Sequence, residues 1–192
     1  MHVQYVLSLC LFAFLVIMVL IRAAMLRGRG VRALVFGRTH KSDFLLVPLV
    51  LSILYTLLAN LFSLPMWSLL VRPFWSGTAL GWVGIALCAV SIVGFALTLA
   101  SFGNSFRVGI DDVKPDKLIT NGMFAFTRNP IYVCFFVFFI GLLLIHRNMM
   151  ISISVAIFAL AIHRQILREE VFLASHYGAE YKMYRKKVRR YL

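Results

Sequence analysis

Residues 126–136, FTRNPIYVCFF, place an arginine, an asparagine and a proline immediately before a long apolar run. Asn129 is a favourable residue for a helix N-cap, Pro130 is favoured in the first helical turn, and Arg128 can extend its charged end toward lipid headgroups. The stretch therefore predicts the start of a membrane helix. The same three residues could also line a site that opens at the membrane surface, and the local sequence leaves both interpretations open.

The composition of the whole chain points to the bilayer. The 192 residues are 61% hydrophobic and 14% charged, with a mean hydropathy of +0.89. Soluble domains carry about 25% charged residues, so this composition is typical of a membrane protein. The length allows one compact domain. We therefore predict an all-α integral membrane protein that forms a single domain over residues 1–192.

Five apolar stretches predict about five transmembrane helices. A span needs about 20 residues, which the first three stretches provide, whereas the last two are only about 22 Å long at 1.5 Å per residue. Only HRN, residues 146–148, separates the last two, so we expect them to form a helical hairpin. The first stretch has no basic residue before it and no clear cleavage site after it, and we interpret it as a retained span. The stretches cover residues 3–21, 44–70, 78–101, 130–145 and 149–163.

The basic residues predict the orientation of the chain. Counted along the chain, the segments between the predicted spans and the C-terminal tail hold 6, 1, 4, 1 and 8 Lys and Arg residues, which together are the 20 in the sequence. This alternation follows the positive-inside rule, so we expect the N-terminus outside and the C-terminus in the cytoplasm. It also explains the net charge of +13 without nucleic acid as a partner. We expect the basic tail to contact anionic lipid headgroups.

The cysteines and histidines indicate no metal site. Cys10, Cys88 and Cys134 lie in apolar stretches, form no CxxC pair and have no histidine at ligand spacing, so we interpret them as small buried residues. The GxxxG sequence GTALG, residues 77–81, continues to Gly84 one turn later and favours close helix packing within the bundle.

The carboxylates are concentrated near one end of the predicted bundle. Six of the seven acidic residues lie in the 102–128 loop or after the fifth apolar stretch. Residues 151–178 contain no helix breaker before Gly178, so Glu169 and Glu170 are expected roughly 10 Å beyond the last apolar turn. There they would face the loop that enters the fourth stretch. The pair could bind a cationic or polyhydroxyl ligand, or it could belong to an ordinary solvated helix face.

Two segments together resemble a known family. LITNGMFAFTRNPIY (118–132) and REEVFLASHYGAEYKMYRKKVRRYL (168–192) are similar to motifs of the isoprenylcysteine carboxyl methyltransferase family of integral membrane enzymes, and more loosely to phospholipid N-methyltransferases. FGNSFRVGIDD (102–112) resembles the segment that precedes these motifs in bacterial relatives. The resemblance covers roughly residues 102–192, which we expect to form a cofactor-binding loop, the hairpin and a cytoplasmic C-terminal helix. Residues 1–101 would form three N-terminal spans.

The resemblance implies an S-adenosylmethionine site between the loop, the start of the fourth span and the tail helix. Glycine would let the backbone approach the ligand, aromatic faces would contact the adenine or the sulfonium, and the glutamates would accept from ribose hydroxyls or the α-amino group. Two positions depart from the family pattern: Asn129 replaces the usual histidine and Phe124 the common tyrosine, so a histidine base at residue 129 is excluded. The implied cofactor-binding residues are Leu118, Gly122, Phe124, Arg128, Asn129, Pro130, Tyr132, Glu169 and Glu170.

The family resemblance further implies methyl transfer to a lipophilic acceptor that enters from the bilayer. A carboxylate acceptor needs no general base, because it is already deprotonated at neutral pH, and alignment and exclusion of water would carry the catalysis. Arg128 or Arg164 would hold the acceptor carboxylate. O-methylation of an isoprenylcysteine-type carboxylate is the first interpretation, and N-methylation of a phospholipid amine is the second. A non-catalytic membrane scaffold that binds anionic lipid is the alternative from another class.

Overall fold

The computed structural model describes residues 2–28, 46–75, 77–102 and 118–192, and within these residues the chain forms helices and no strand. This agrees with the predicted all-α class. The lead-in segment FGNSFRVGIDD and the acidic residues Asp43, Asp111, Asp112 and Asp116 lie outside the described residues, apart from Phe102. The helices are α1 (His2–Gly28), α2 (Leu46–Phe62), α3 (Ser68–Val71), α4 (Ala79–Phe102), α5 (Pro130–His146) and α6 (Met149–Lys187), with a 3₁₀ turn at Gly122–Ala125 before α5.

Three described helices are long and apolar enough to cross a membrane, by length and composition: His2–Met25, Ala79–Ser101 and Met149–Lys187. Helices α2 and α5 are apolar but shorter, with 17 residues each. The helix in the second apolar stretch is therefore shorter than the sequence predicted. Ser63 adopts a positive φ of 54° directly after α2, and Pro65 follows, so the helix ends well before residue 70. Five spans remain a prediction.

Helices α5 and α6 are joined by only Arg147 and Asn148, as the spacing of the last two apolar stretches predicted. Arg147 ends α5 in the left-handed conformation, with φ of 52° and ψ of 28°. The side chain of Asn148 then caps α6, because its Oδ1 accepts from the backbone N–H of Ile151 at 3.0 Å. A left-handed residue followed by an N-cap reverses the chain in two residues.

The turn of this hairpin is held by polar side chains from two other helices, the buried Ser8 of α1 and the half-buried Asn60 of α2. Asn60 Nδ2 donates to the Thr56 carbonyl at 2.9 Å and lies 3.1 Å from His146 Nδ1, so the ring accepts at this nitrogen and carries its proton on Nε2. His146 Nε2 lies 3.0 Å from Ser8 Oγ, and Ser8 Oγ in turn donates to the Tyr5 carbonyl. The network joins α1, α2 and α5 at the end of the bundle opposite the N-terminus of α5.

Close packing of α4 on α5 depends on two facing glycines. A Cβ atom added at Gly84 would lie 2.5 Å from the Gly141 carbonyl oxygen, and one added at Gly141 would lie 2.6 Å from that of Gly84. Only hydrogen fits at either position, which brings the backbones together. Ser91 Oγ then reaches across to the Cys134 carbonyl at 2.6 Å. The prediction that Gly84 serves packing within the bundle is confirmed.

The outward faces of the helices are apolar, as expected for contact with lipid. Val90, Val93 and Leu160 are each at least 60% exposed although they lie on long apolar helices. Cys88 and Cys134 are buried as predicted, but Cys10 is exposed on α1, so the expectation of burial is wrong for this residue. Its side chain simply points to the outer face of the first helix.

Helix α6 continues far beyond its apolar part. It runs for 39 residues and is interrupted only at Gly178, where φ of 51° and ψ of −115° kink the chain. The prediction that no break occurs before Gly178 is confirmed. The fully buried Ile166 marks the end of the apolar core on this helix, and the polar residues beyond it face the entrance to α5.

Candidate functional site

The entrance to α5 and the paired glutamates of α6 lie together. Tyr132, in the first turn of α5, donates its hydroxyl to Glu169 Oε1 at 2.6 Å. Arg128, two residues before α5, places Nη2 3.2 Å from Glu170 Oε1. These two contacts connect the two motif segments through residues about 40 positions apart in the chain, and they position both carboxylates at one end of the bundle.

The segment after α6 adds a second arginine to this cluster. Arg190 binds Glu170 in a bidentate manner, with Nε 3.0 Å from Oε1 and Nη2 2.8 Å from Oε2. The side chains of Arg128 and Glu170 are 7% and 8% exposed, whereas that of Arg190 is 30% exposed. Glu170 is therefore a buried carboxylate held between two guanidinium groups, a strong geometry for an ion pair.

Backbone contacts hold the C-terminal segment against the loop that enters α5. The Arg128 N–H donates to the Arg189 carbonyl at 2.9 Å. The Arg190 carbonyl accepts from Thr127 Oγ1 at 3.1 Å and from Asn129 Nδ2 at 3.0 Å. Asn129 occupies the N-cap position of α5, but its side chain makes no capping hydrogen bond. Its amide serves the C-terminal segment instead, which corrects the simple N-cap interpretation.

Two tyrosines of α6, Tyr181 and Tyr184, lie next to each other near Arg128. Arg128 Nη1 donates to the Tyr181 hydroxyl at 3.4 Å. Burial raises the pKa of Tyr181, which lies beyond the Gly178 kink and outside the apolar part of α6, and the nearby charge of Glu170 acts in the same direction. The hydrogen bond to Glu170 raises the pKa of Arg190. Both residues therefore keep their protons at neutral pH, so Tyr181 is a neutral phenol and Arg190 a cation.

Leu118 and Phe124, which the resemblance predicts to bind the cofactor, contact these two tyrosines. Leu118 belongs to a small apolar cluster with Tyr181 and Tyr184. Phe124 is buried, and its carbonyl accepts from the Tyr184 hydroxyl at 2.7 Å. Burial raises the pKa of Tyr184 to about 12. The contacts of these residues fix the 3₁₀ turn and the kinked end of α6 relative to each other.

Gly122 has a structural reason to be glycine. Its φ is 59°, a conformation that L side chains rarely adopt, and a Cβ atom here would lie 2.9 Å from Ser101 Cβ. Ser101 Oγ also accepts from the Met123 N–H at 3.2 Å. The close approach that the structure shows at Gly122 is thus to α4, whereas the resemblance implied an approach to a ligand.

Arg164 is not brought to this cluster. Its side chain is exposed, and it precedes Glu169 by five residues, which on a helix with 3.6 residues per turn is a rotation of roughly 140°. Of the two arginines considered for holding an acceptor carboxylate, the structure places only Arg128 beside the glutamates. Pro130 begins α5 at its first position and packs as a buried residue.

Sequence reasoning missed Thr127, Tyr181 and Arg190. Tyr181 lies in the G-x-E-Y part of the quoted tail motif, so the motif itself carried a signal for it. Arg190 belongs to a run of basic residues that the positive-inside rule already explained, and nothing in that run distinguishes it from its neighbours. Only the folded chain shows that its guanidinium is directed at Glu170.

An apolar cleft of about 690 Å³ opens between α5 and α6 beside the cluster. Its walls are aliphatic and aromatic, and at one end His163 Nδ1 lies 2.6 Å from the Tyr191 hydroxyl. Tyr191 follows Arg190 directly, so the cleft and the ion cluster share the C-terminal segment. The lining residues are Val133, Phe136, Val137, Ile140, Ala156, Ala159, Leu160, His163, Tyr191 and Leu192.

The described residues fit an S-adenosylmethionine-type ligand better than a metal ion. Within the ranges that the structure describes, no group of three histidine, cysteine or acidic side chains is placed to hold a metal. By contrast, Arg128 Nε is a buried donor without a hydrogen-bond acceptor among the described residues. An orphaned guanidinium N–H beside a half-buried Glu169 offers a donor for a carboxylate and an acceptor for hydroxyl or ammonium groups.

The sequence profile of the family described as phospholipid methyltransferase matches residues 80–180. The chain belongs to this family. The profile spans α4, α5 and most of α6, and therefore includes both segments that meet at Arg128 and Glu170.

Individual relatives are similar over parts of the chain. A protein-S-isoprenylcysteine O-methyltransferase from Schizosaccharomyces pombe is 35% identical over 79 residues, which are 39% of this chain and 32% of the relative. A probable protein-S-isoprenylcysteine O-methyltransferase from Oryza sativa subsp. indica is 29% identical over 126 residues, 62% of each chain. The nickel-cobalt-cadmium resistance protein NccN from Alcaligenes xylosoxydans xylosoxydans is 27% identical over 107 residues, 55% of this chain and 49% of the relative.

The resemblance to the isoprenylcysteine carboxyl methyltransferase family is confirmed by these matches. The aligned regions span less than two thirds of the length of each of these relatives. No solved structure matches the chain.

Proposed function

We propose that the chain is a membrane-embedded methyltransferase that uses S-adenosylmethionine and methylates a lipophilic acceptor at the inner face of the membrane. The acceptor class that the matched isoprenylcysteine O-methyltransferases favour is an isoprenylcysteine-type carboxylate. The observation that carries this proposal is the meeting of Tyr132 with Glu169 and of Arg128 with Glu170, because it joins the two motif segments in one cluster.

Glu169 and Arg128 are the residues that would hold the donor. Glu169 is partly exposed, and its carboxylate can accept from ribose hydroxyls or an α-ammonium group, while the Tyr132 hydroxyl fixes its orientation. The Nε donor of Arg128, which has no acceptor among the residues that the structure describes, fits a carboxylate. When bound, the donor supplies a methyl group on a sulfonium, and its transfer breaks the C–S bond, forms a C–O bond and leaves a thioether and an ester.

The apolar cleft between α5 and α6 fits the lipophilic part of the acceptor. Its volume of about 690 Å³ exceeds what a chain of some fifteen carbon atoms needs. A carboxylate acceptor is ionised at neutral pH and needs no base, so Asn129 in place of a histidine is compatible with O-methylation. The protein then has to align the acceptor with the donor and exclude water. The burial of the Arg128–Glu170 pair is consistent with a site that water enters little.

A second acceptor class is favoured by the family description itself, which names phospholipid methylation. With an amine acceptor, Glu169 rather than Arg128 would orient the nucleophile, because a carboxylate attracts an ammonium and a guanidinium repels it. Because Glu169 and Arg128 also hold the donor, neutralising either should weaken transfer to both acceptors, but the loss should be larger at Glu169 for an amine acceptor and larger at Arg128 for a carboxylate acceptor.

The basic residues after the Gly178 kink support a location of this end of the bundle at an anionic membrane face. Their side chains are exposed and attract anionic headgroups by about 1 kcal/mol each near the surface. Together with the alternation of basic segments, this supports an outside N-terminus and a cytoplasmic C-terminus. The residues are Lys182, Arg185, Lys186, Lys187 and Arg189.

A methyl-transfer assay on the purified full chain tests the proposal. Labelled S-adenosylmethionine is incubated with N-acetyl-S-farnesylcysteine or with phosphatidylethanolamine, and incorporation is measured by mass spectrometry. We expect label in the farnesylcysteine ester and its loss in Arg128→Ala. Label in the phospholipid instead would select the second acceptor class.

A non-catalytic scaffold would give a different result. It would show no incorporation with either acceptor and no calorimetric heat with S-adenosylmethionine, and Glu170→Ala would leave binding of anionic vesicles unchanged. A mass-spectrometric search of lipid extracts for added methyl groups extends the assay to acceptors beyond these two probes.

A further inference from the structure

We propose that Arg190 is a positioning residue of the donor site, and that the segment of residues 188–191 is a fixed wall of that site. The guanidinium of Arg190 holds Glu170 in place, and this leaves Glu169 as the carboxylate that contacts the donor. The inference rests on the proposed function, since it assigns roles within the same site.

The two adjacent glutamates have different surroundings. Glu170 is 7% exposed, and its two oxygens receive three charged contacts, two from Arg190 and one from Arg128. Glu169 is less buried, and its Oε1 accepts from Tyr132 at 2.6 Å and from Gln165 at 3.0 Å. A carboxylate enclosed by guanidinium groups organises its neighbours, whereas the more exposed one can receive a ligand.

The C-terminal segment is anchored too widely to act as a plug that a ligand displaces. The carbonyls of Arg189 and Arg190 accept from the loop residues Thr127, Arg128 and Asn129. Releasing the segment would break these hydrogen bonds together and leave the buried Glu170 with a single cation, which is costly. The segment therefore stays in place as a wall, and Arg190 is its link to the glutamates.

Charge balance gives Arg190 an effect that packing alone would not produce. Arg190→Ala removes one positive charge that lies directly beside Glu170. The site is then more negative by one unit charge than in the wild type. A negative cluster favours a cationic ligand over a neutral one, because Coulomb attraction is stronger in a buried site than in water.

Binding of two donor analogues to the full chain in detergent or nanodiscs tests this proposal. S-Adenosylmethionine carries the cationic sulfonium, and S-adenosylhomocysteine has a neutral thioether at the same place. Dissociation constants for both are measured for the wild type, Arg190→Ala and Arg190→Lys. Lys187→Ala is the matched control, because Lys187 is an exposed cation at the end of α6. Melting temperatures are recorded for every variant.

For Arg190→Ala we expect S-adenosylmethionine to bind about tenfold more weakly, the order expected for losing charge-assisted hydrogen bonds around Glu170. S-Adenosylhomocysteine should lose about threefold more than that, because the excess negative charge compensates only the cationic donor. Arg190→Lys restores the positive charge but not the bidentate contact with Glu170. The ratio of the two dissociation constants should therefore return to the wild-type value, while both ligands still bind more weakly than to the wild type. Lys187→Ala should bind both as the wild type does.

Three results would overturn the proposal. The first is wild-type binding of both ligands by Arg190→Ala. The second is a loss of affinity that is equal for the two ligands and equal in Arg190→Ala and Arg190→Lys, together with a lower melting temperature. That result would make Arg190 purely structural. If Arg190→Ala does not fold, unchanged affinities in Arg190→Lys are the third. Failure of the wild type to bind either ligand would instead contradict the proposed function, so the two failures are distinguishable.

Discussion

Glu170→Ala tests the strongest structural feature of the site, the buried ion cluster. The substitution removes the carboxylate that lies between Arg128 and Arg190 and leaves the guanidinium of Arg128 buried without its counter-charge. Glu180→Ala is the matched control, since Glu180 lies on the same helix but is exposed. We expect the first variant to be clearly destabilised and the second to be close to the wild type.

The magnitude follows from the exposure of the partners. Breaking a buried pair by removing one partner costs about 3–5 kcal/mol, and the Arg128–Glu170 pair is in this class because both side chains are less than 9% exposed. The Arg190 arm is 30% exposed, so solvent screening reduces its share to about 1 kcal/mol or less. The substitution also removes the desolvation cost of the buried carboxylate, which offsets part of the sum. We expect a net loss of about 3 kcal/mol, or a fall in Tm of about 6–12 °C for a chain of this length.

Thermal unfolding in detergent measures this difference. The buried thiols of Cys88 and Cys134 become reactive when the bundle opens, while the exposed Cys10 gives the starting signal, so a thiol-reactive fluorophore follows the transition. A shift for Glu170→Ala within about 2 °C of that for Glu180→Ala, less than the equivalent of 1 kcal/mol, would refute the idea that Glu170 is a structural centre of the site.

Three further outcomes are expected. Tyr132→Phe removes the 2.6 Å hydrogen bond to Glu169 and should weaken S-adenosylhomocysteine binding by about 1.5 kcal/mol, measured by calorimetry; unchanged affinity would separate Tyr132 from the donor site. Gly84→Val places a side chain against the Gly141 carbonyl, and overpacking should cost about 1–3 kcal/mol in thermal unfolding, whereas an unchanged Tm would contradict the close contact of α4 with α5. Burial raises the pKa of Tyr184 to about 12, so the folded state retains a proton that the unfolded state releases near pH 10; stability should fall between about pH 10 and 12, and less steeply in Tyr184→Phe, with equal slopes arguing against burial of this hydroxyl.

Apolar runs and the helix-breaking residues between them predicted most of the fold. The helical class, the short connection at residues 146–148 and the uninterrupted helix up to Gly178 follow from where apolar runs and helix breakers stand in the sequence. The end of α2 could not be predicted in this way. The apolar sequence continues through Pro65, although the backbone already turns at Ser63. Hydropathy measures transfer to lipid, and it is insensitive to the point where the φ angle changes sign.

The candidate site was predicted only in part. Arg128, Tyr132, Glu169 and Glu170 come together as the motif resemblance implied, although no single local pattern shows it. Arg190 was not found, because a basic run satisfies the positive-inside rule wherever its individual side chains point. The rotation of Arg164 away from the cluster illustrates the same limit: charge and sequence distance place a residue near a site, but the helical phase decides whether it faces it.

The location of the bound donor tests the central claim most directly. A structure of the full chain with S-adenosylhomocysteine, determined in a lipid nanodisc, shows which side chains contact the ligand. We predict that the ligand lies between the start of α5 and α6, with Glu169 and Arg128 in hydrogen-bonding contact and the Arg190–Glu170 pair intact behind them. Ligand density at another surface, with the Tyr132–Glu169 and Arg128–Glu170 contacts unchanged and remote from it, would contradict the account.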